Sequence, residues 1–205
     1  VVTFLNMLLQ QVAAIVPIIG VLIQWAIIGP LSLGYHACFM GLVRGEVMNV
    51  GTLFGGFSKF GKGLGLYWLT VVIVGLASTA AAIPGGLMIG SVFMMDVPVP
   101  EEHPLFFFGI AVAVIPAMVV GCYMYLRYAL VYFIANDEPE IGVFEALKES
   151  TRRMDGRKGK LFGLFFSFIP WMFVGMLALG IGILWSLTYM YAAFAAFYDD
   201  LGEDA

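Results

Sequence analysis

The stretch from Val1 to Val43 contains no Asp, Glu, Lys or Arg, and three further stretches are nearly as bare: Gly63 to Met95, Leu105 to Asn136 with Arg127 as its one charge, and Leu161 to Tyr198. About 20 apolar residues in helical form cross a hydrocarbon core roughly 30 Å thick. Inside that core every backbone N–H and C=O must find a partner within the protein, which a helix provides and an open strand does not. The expected fold is therefore all-α, an integral membrane bundle of about six transmembrane helices forming a single polytopic domain over residues 1–205. Composition agrees: 12% of the residues are charged, against roughly a quarter in soluble domains.

Turn signals divide the bare stretches into crossings. As one helix, Val1 to Val43 would be roughly 64 Å long, so it must turn once, and Pro17 with Gly20 is the break that leaves a full crossing after it. This gives helices over 1–16 and 18–43, the second with Pro30 as a kink. A third helix over 63–82 is expected to stop at Ile83-Pro84-Gly85-Gly86, leaving Leu87 to Met95 too short to span and placed at the interface or re-entrant. The proline-rich run Asp96 to Pro104 reads as a polar loop before a fourth helix over 105–136. Gly180-Ile181-Gly182 divides the last stretch into helices over 161–179 and 183–198, an expected hairpin; one long broken helix, giving five crossings, is the alternative. The opening run has neither Met nor a basic leader with a cleavage site, so the true start is expected upstream of Val1.

Basic residues set the orientation, because inward-facing loops collect Lys and Arg. Arg44, Lys59 and Lys62 lie in one loop; Lys148, Arg152, Arg153, Arg157, Lys158 and Lys160 lie in another. Both loops are expected to be cytoplasmic, with the loop between the third and fourth helices outside and both termini inside. Each inner loop carries an amphipathic segment, over 51–62 and 139–156. In the second, Pro139 suits a first helical turn, Phe144, Leu147 and Met154 share a face, Glu149 pairs with Arg153, and Gly156 is the stop. Such a helix lies on anionic headgroups of the inner leaflet or docks a cytosolic partner, with Phe144, Leu147, Arg152, Arg153 and Lys158 as the contact residues. The two units of descending helix, amphipathic element and ascending helix read as a parallel repeat.

Arg127 is the one charge inside an expected span, about 13 Å from its inner end, and needs a partner or an exit. Tyr123 and Tyr128 are within reach on the same helix. Snorkelling or a structural hydrogen bond competes with an anion or headgroup site there. His36, beside Tyr35 and Cys38, reads as a membrane histidine hydrogen-bonded inside the bundle, because no third ligand stands at metal-binding spacing. Cys38 and Cys122 read as buried free thiols. Gly41 with Gly45 and Gly86 with Gly90 have the small-xxx-small spacing of helix contacts. No metalloprotease, nucleophile-elbow or P-loop pattern occurs, and no carboxylate pair lies within a span. No catalytic residue, metal or cofactor is therefore expected.

Seven runs carry a family resemblance: Gly29-Pro30-Leu31-Ser32-Leu33-Gly34-Tyr35, Arg44-Gly45-Glu46, Leu53-Phe54-Gly55-Gly56-Phe57, Ile134-Ala135-Asn136-Asp137-Glu138-Pro139, Glu145-Ala146-Leu147-Lys148-Glu149-Ser150, Leu179-Gly180-Ile181-Gly182-Ile183-Leu184-Trp185 and Phe197-Tyr198-Asp199-Asp200-Leu201. In this order they resemble a bacterial multipass membrane family, the domain of unknown function nine hundred and seventy-five. The resemblance covers most of the chain from Gly29 and departs between Pro84 and Phe108, where family members are usually shorter. It implies a multipass plasma-membrane protein and supplies no reaction and no site residues.

The expected function is a non-enzymatic membrane protein that binds or moves a lipid or small amphiphile between its helices. The alternative is a structural or accessory subunit of a larger membrane complex. Expected partners are membrane lipids, anionic headgroups at the basic loop, and further copies or complex subunits; nucleic acid is not among them.

Overall fold

The computed structural model describes residues 2–7, 19–47, 49–95, 103–177 and 181–203, and every regular element among them is helical. After helical residues 2–7 come α1 (Ile19–Val43), α2 (Val50–Gly55), a 3-10 turn (Gly56–Lys59), α3 (Phe60–Phe93), α4 (Pro104–Tyr128), α5 (Val131–Asp137), α6 (Val143–Arg153), α7 (Lys158–Leu177) and α8 (Ile181–Glu203). Among the described residues, four segments are long and apolar enough to cross a membrane: Ile23–Val43, Val50–Phe93, Pro104–Asp137 and Lys158–Leu177. The expected break at Pro17 and most of the expected first crossing lie outside the described residues, as does most of the Asp96 to Pro104 loop.

Proline does not end these helices. Pro30, Pro84, Pro116 and Pro170 all lie inside helical segments. The expected stop at Pro84-Gly85-Gly86 is overturned, and Leu87 to Phe93 continues α3 rather than forming a separate segment. In water the lost hydrogen bond would favour a break; in an apolar setting, unwinding would strip further backbone groups of their partners. The long helix expected over 105–136 contains a turn at residues 129–130, which separates α4 from α5.

The chain forms two compact units, Leu69–Leu126 and the remainder. In the first, α3 and α4 meet where a Cβ on Gly85 would strike the Gly109 carbonyl and the Ala113 backbone, so only glycine permits the crossing. Phe93 and Phe106 meet edge to face at 6.0 Å.

The second unit holds most of the buried side chains, including Leu31, Leu33, Phe39, Leu53, Phe133, Ile134, Met154 and Leu161. Here α1 runs parallel to α8, with Tyr35 against Tyr191 at 4.8 Å and, further along both helices, Arg44 bonded to Asp199. α2 and the 3-10 turn press on α1: a Cβ on Gly34 would overlap the Leu53 carbonyl, and one on Gly56 would sit 2.6 Å from the Gly34 nitrogen. α7 and α8 form a hairpin in which Gly175 would meet the Gly182 backbone at 2.6 Å, and Ser186 Oγ donates to the Trp171 carbonyl at 3.0 Å. Close packing therefore falls on different glycines from those the spacing picked out. Gly86, Gly90 and Gly45 have open space beside them, and Gly41 faces only the Glu46 side chain. Gly45 and Gly156 instead take left-handed backbone, φ +80° and +72°, and end α1 and the α6 turn respectively.

Candidate functional site

Three apolar runs that are remote in sequence end in charge, and folding brings those ends together. Arg44, just beyond α1, donates through Nη1 to Asp137 Oδ1 (2.6 Å) and through Nη2 to Asp137 Oδ2 (2.9 Å). The same guanidinium donates through Nη2 and Nε to both oxygens of Asp199 on α8, at 2.8 and 3.3 Å. One planar fork thus holds two carboxylates, a geometry that an ammonium does not reproduce. The bonds to Asp137 and then to Asp199 hold the guanidinium above its ordinary pKa, against a smaller opposing effect of burial.

Lys62, at the start of α3, closes the neighbouring helix end. Its Nζ donates to the carbonyls of Ala135, Glu138 and Pro139 at 3.1–3.2 Å, satisfying acceptors that the end of α5 leaves open. Asn136 Nδ2 donates to the Leu33 carbonyl of α1 at 3.0 Å. His36 lies behind this node, its Nδ1 donating to the Ser32 carbonyl at 2.7 Å and its ring stacked on Tyr132 at 4.9 Å. That is the hydrogen-bonded core histidine of the sequence reading. Among the described residues no group of three His, Cys, Asp or Glu side chains stands where it could hold a metal ion.

The turn at residues 129–130 brings the end of α4 onto α6. Arg127 Nε donates to Thr151 Oγ1 at 3.1 Å, its guanidinium lies 5.9 Å over the Tyr128 ring, and Ser150 Oγ donates to the Arg127 carbonyl. Tyr128 is therefore a partner of Arg127, and Tyr123 lies on the exposed side of α4. These bonds tie the end of α4 to α6.

α6 begins later than Pro139 suggests, at Val143, where the Gly142 N–H donates to Glu145 Oε2 at 3.1 Å. The three residues expected on one face separate: Leu147, expected as a contact residue, and Met154 are buried at 5% and 0% exposure, whereas Phe144 is 74% exposed. The buried stripe is Ala146, Leu147, Ser150 and Met154; at 100° per residue Phe144 lies about 100° from its middle. The expected Glu149–Arg153 pair is present at 2.7 Å, and Arg152 also holds Glu149, at 2.7 Å. The Arg152 hydrogen bond, opposed by burial and reinforced by Arg153, holds the Glu149 carboxyl down at about 2. Arg153 further reaches Glu138 and the Tyr198 hydroxyl, both at 3.0 Å, and Lys158 pairs with Asp155 at 3.3 Å.

Two concavities lie beside α7 and α8. One is an open groove of about 470 Å³ lined by Phe168, Trp171, Trp185, Ser186 and Tyr189. The other, at the opposite ends of the same helices, is bounded by the basic turn after α6 and the last turn of α8. Cys38 is buried, whereas Cys122, expected to be buried, is exposed.

The sequence reading singled out His36, Arg127 and the α6 cations but passed over Arg44, Lys62, Asn136, Asp137 and Asp199 as site residues. The available signal was topological. Arg44, Asp137 and Asp199 each close an apolar run at the end assigned to the cytoplasm, so opposite charges were due at one level of the bundle.

The profile of the family described as protein of unknown function (DUF975) matches residues 1–205, the whole chain, and the chain belongs to that family. The match includes both the residues before Gly29 and the Pro84 to Phe108 stretch where the resemblance was read as departing. No curated protein and no solved structure matches.

Proposed function

We propose that this DUF975 chain is a non-enzymatic, six-crossing protein of the bacterial cytoplasmic membrane that binds or moves a lipid or small amphiphile, held in the groove between α7 and α8. The observation that carries the reading is the groove itself. The glycine contact between Gly175 and Gly182 pinches the hairpin at one end, and the aromatic residues beyond it line an opening of about 470 Å³. That volume is within the range of small-molecule sites. Its walls combine apolar faces with the indole N–H and phenol groups of Trp171, Trp185 and Tyr189, which suits a molecule that is apolar along most of its length and polar at one end. Trp171 lies 13 residues beyond Lys158, or about 20 Å along the helix, towards the far side of the membrane. In this proposal five of the six crossings are α1, α3, α4, α7 and α8, and the sixth is the one expected from the sequence ahead of α1. The basic turns around Arg44 and Arg152 to Lys160 support an inward orientation with both termini in the cytoplasm.

Tryptophan emission tests the groove. The chain has four Trp; replacing Trp25 and Trp68 by Phe leaves Trp171 and Trp185, both lining the groove, as reporters. A phosphatidylcholine brominated in its acyl chain, titrated into the detergent-solubilised protein, should quench that emission saturably, and Phe168→Trp, which enlarges a lining side chain, should weaken the saturable part. Linear quenching that is unchanged by a filled groove would show that the acyl chain has no site there.

A second reading, as an accessory subunit of a larger complex, is favoured by Phe144, which is uncovered on the solvent side of α6. Loss of a co-purifying subunit on Phe144→Glu, with the protein still membrane-inserted, is its expected signature; an unchanged native mass counts against it.

A further inference from the structure

Between Arg152 and Lys160 the chain carries five cations and one carboxylate. Membrane orientation alone accounts for positive charge in this loop, but it does not account for a pocket. The turn and the end of α8 enclose an open cavity of about 300 Å³ lined by Arg152, Arg153, Asp155, Arg157, Leu201 and Gly202. Three guanidinium groups thus share a small concavity with one carboxylate, and that carboxylate is already paired with Lys158 at 3.3 Å.

The pocket is built before anything enters it. Glu149 grips Arg152 through Nε and Nη2 at 2.8 and 2.7 Å, which fixes the plane of the guanidinium and leaves its Nη1 out of that contact. Arg153 is held on three sides by Glu149, Glu138 and Tyr198, so it contributes a fixed wall whose charge those two carboxylates offset. Gly156 in left-handed backbone turns the chain towards Arg157, and α7 starts at the next residue, adding the positive end of its dipole. On the α8 side, a side chain added at Gly202 would meet nothing within 4 Å. The space accommodates a phosphoryl group with several waters, at about 30 Å³ for each water.

We propose that this pocket is a binding site for a phosphate ester at the inner surface of the membrane, with Arg152 and Arg157 supplying directed N–H donors and Arg153 forming a fixed wall. Planar guanidinium forks match phosphate oxygens in pairs, which distinguishes such a site from diffuse attraction to an anionic surface. The assignment stands independently of the α7–α8 groove, because it rests on different residues and a different ligand chemistry.

Thermal unfolding of the purified full chain in a neutral detergent provides the test. The probes are inorganic phosphate, glycerol 3-phosphate and dihexanoyl phosphatidylglycerol, each compared with sodium chloride at equal ionic strength. At least one probe should raise Tm saturably, and the double variant Arg152→Gln/Arg157→Gln should lower the apparent affinity at least tenfold. Lys160→Gln, which removes one like charge outside the pocket, should leave the response unchanged. Arg157→Gln alone, in the turn rather than the α6 ion-pair cluster, supplies the comparison if the double variant does not fold. Tenfold tighter binding of the lipid than of glycerol 3-phosphate assigns the pocket to a headgroup, and equal binding assigns it to a soluble phosphate ester. An absence of any saturable shift, or the same shift in the arginine variants, overturns the proposal.

Discussion

Two glycines on one helix should respond to the same substitution with opposite signs. A Cβ built on Gly63 lies 2.8 Å from both the Cα and the nitrogen of Pro30 and 3.0 Å from the carbonyl carbon of Gly29, whereas one built on Gly75 meets nothing within 4 Å. The Gly63 neighbours are backbone atoms, so no side chain can rotate away; α1 and α3 must separate until those contacts reach an ordinary 3.4 Å or more. Overpacking of that kind costs about 1–3 kcal/mol. For a chain of this size each kcal/mol corresponds to ~2–4 °C in Tm, so Gly63→Ala should unfold ~2–12 °C earlier. Gly75→Ala pays no such cost and gains up to ~1 kcal/mol of helix propensity, leaving Tm unchanged or slightly higher. The assay is the fraction of detergent-solubilised protein that stays monodisperse after heating. Equal stability of the two variants would mean that the α1–α3 crossing is not set by backbone contact at Gly63.

Arg44→Lys keeps the charge but loses the fork that holds Asp137 and Asp199 together. With the arginine side chain 41% exposed, the expected loss is only about 1 kcal/mol after allowance for solvent screening, and Asp137→Asn should cost less in that background than in the parent; strict additivity would rule out the shared fork. Glu149, held at about 2 against an ordinary 4.5, is protonated more readily in the unfolded chain, so its contribution is complete above 4.5 and is lost as pH falls through about 2. Thermal stability should therefore drop between pH 5 and pH 2 more steeply in the parent than in Glu149→Gln, and parallel curves would count against the pair. In a background lacking Cys38 and Cys122, Lys158→Cys should react with an impermeant maleimide only after the inner face is opened, and labelling in intact cells would reverse the assigned orientation.

Helix content was legible because a long charge-free run has few solutions in a bilayer. The stop assigned to Pro84-Gly85-Gly86 was misread because punctuation rules describe a backbone that water can rescue. In α3 the helix continues, and Gly85 serves as the contact with Gly109 and Ala113. Phe144 was placed on one face with Leu147 through its spacing, but the buried stripe around Ser150 takes Leu147 and leaves Phe144 outside. Glycine spacing misled for a related reason. Among the described residues nothing lies within 4 Å of a Cβ on Gly86 or Gly90, whereas Gly29, Gly34, Gly56 and Gly63 are scattered in sequence and converge only after α2 folds back on α1. A small-xxx-small search looks within one helix and cannot see a contact made by three elements.

The same reasoning explains where the second unit can open. Apolar side chains gain little by leaving lipid for one another, so helices associate where backbones approach closely or polar groups bond. Both devices act on α1 and its neighbours: glycines from Gly29 to Gly63, then Arg44, Lys62 and Asn136. The α7–α8 hairpin has the Gly175–Gly182 contact at its tip and the bond from Ser186 to the Trp171 carbonyl nearby, and Phe168, Trp171, Trp185 and Tyr189 line the groove beside them. Trp171, Trp185 and Tyr189 are exposed beside these contacts, so the groove lies open along the outside of the hairpin, away from the tightly tied base. On the proposed reading of the groove, an occupant enters and leaves without breaking the Arg44 node, because the residues of that node do not line it.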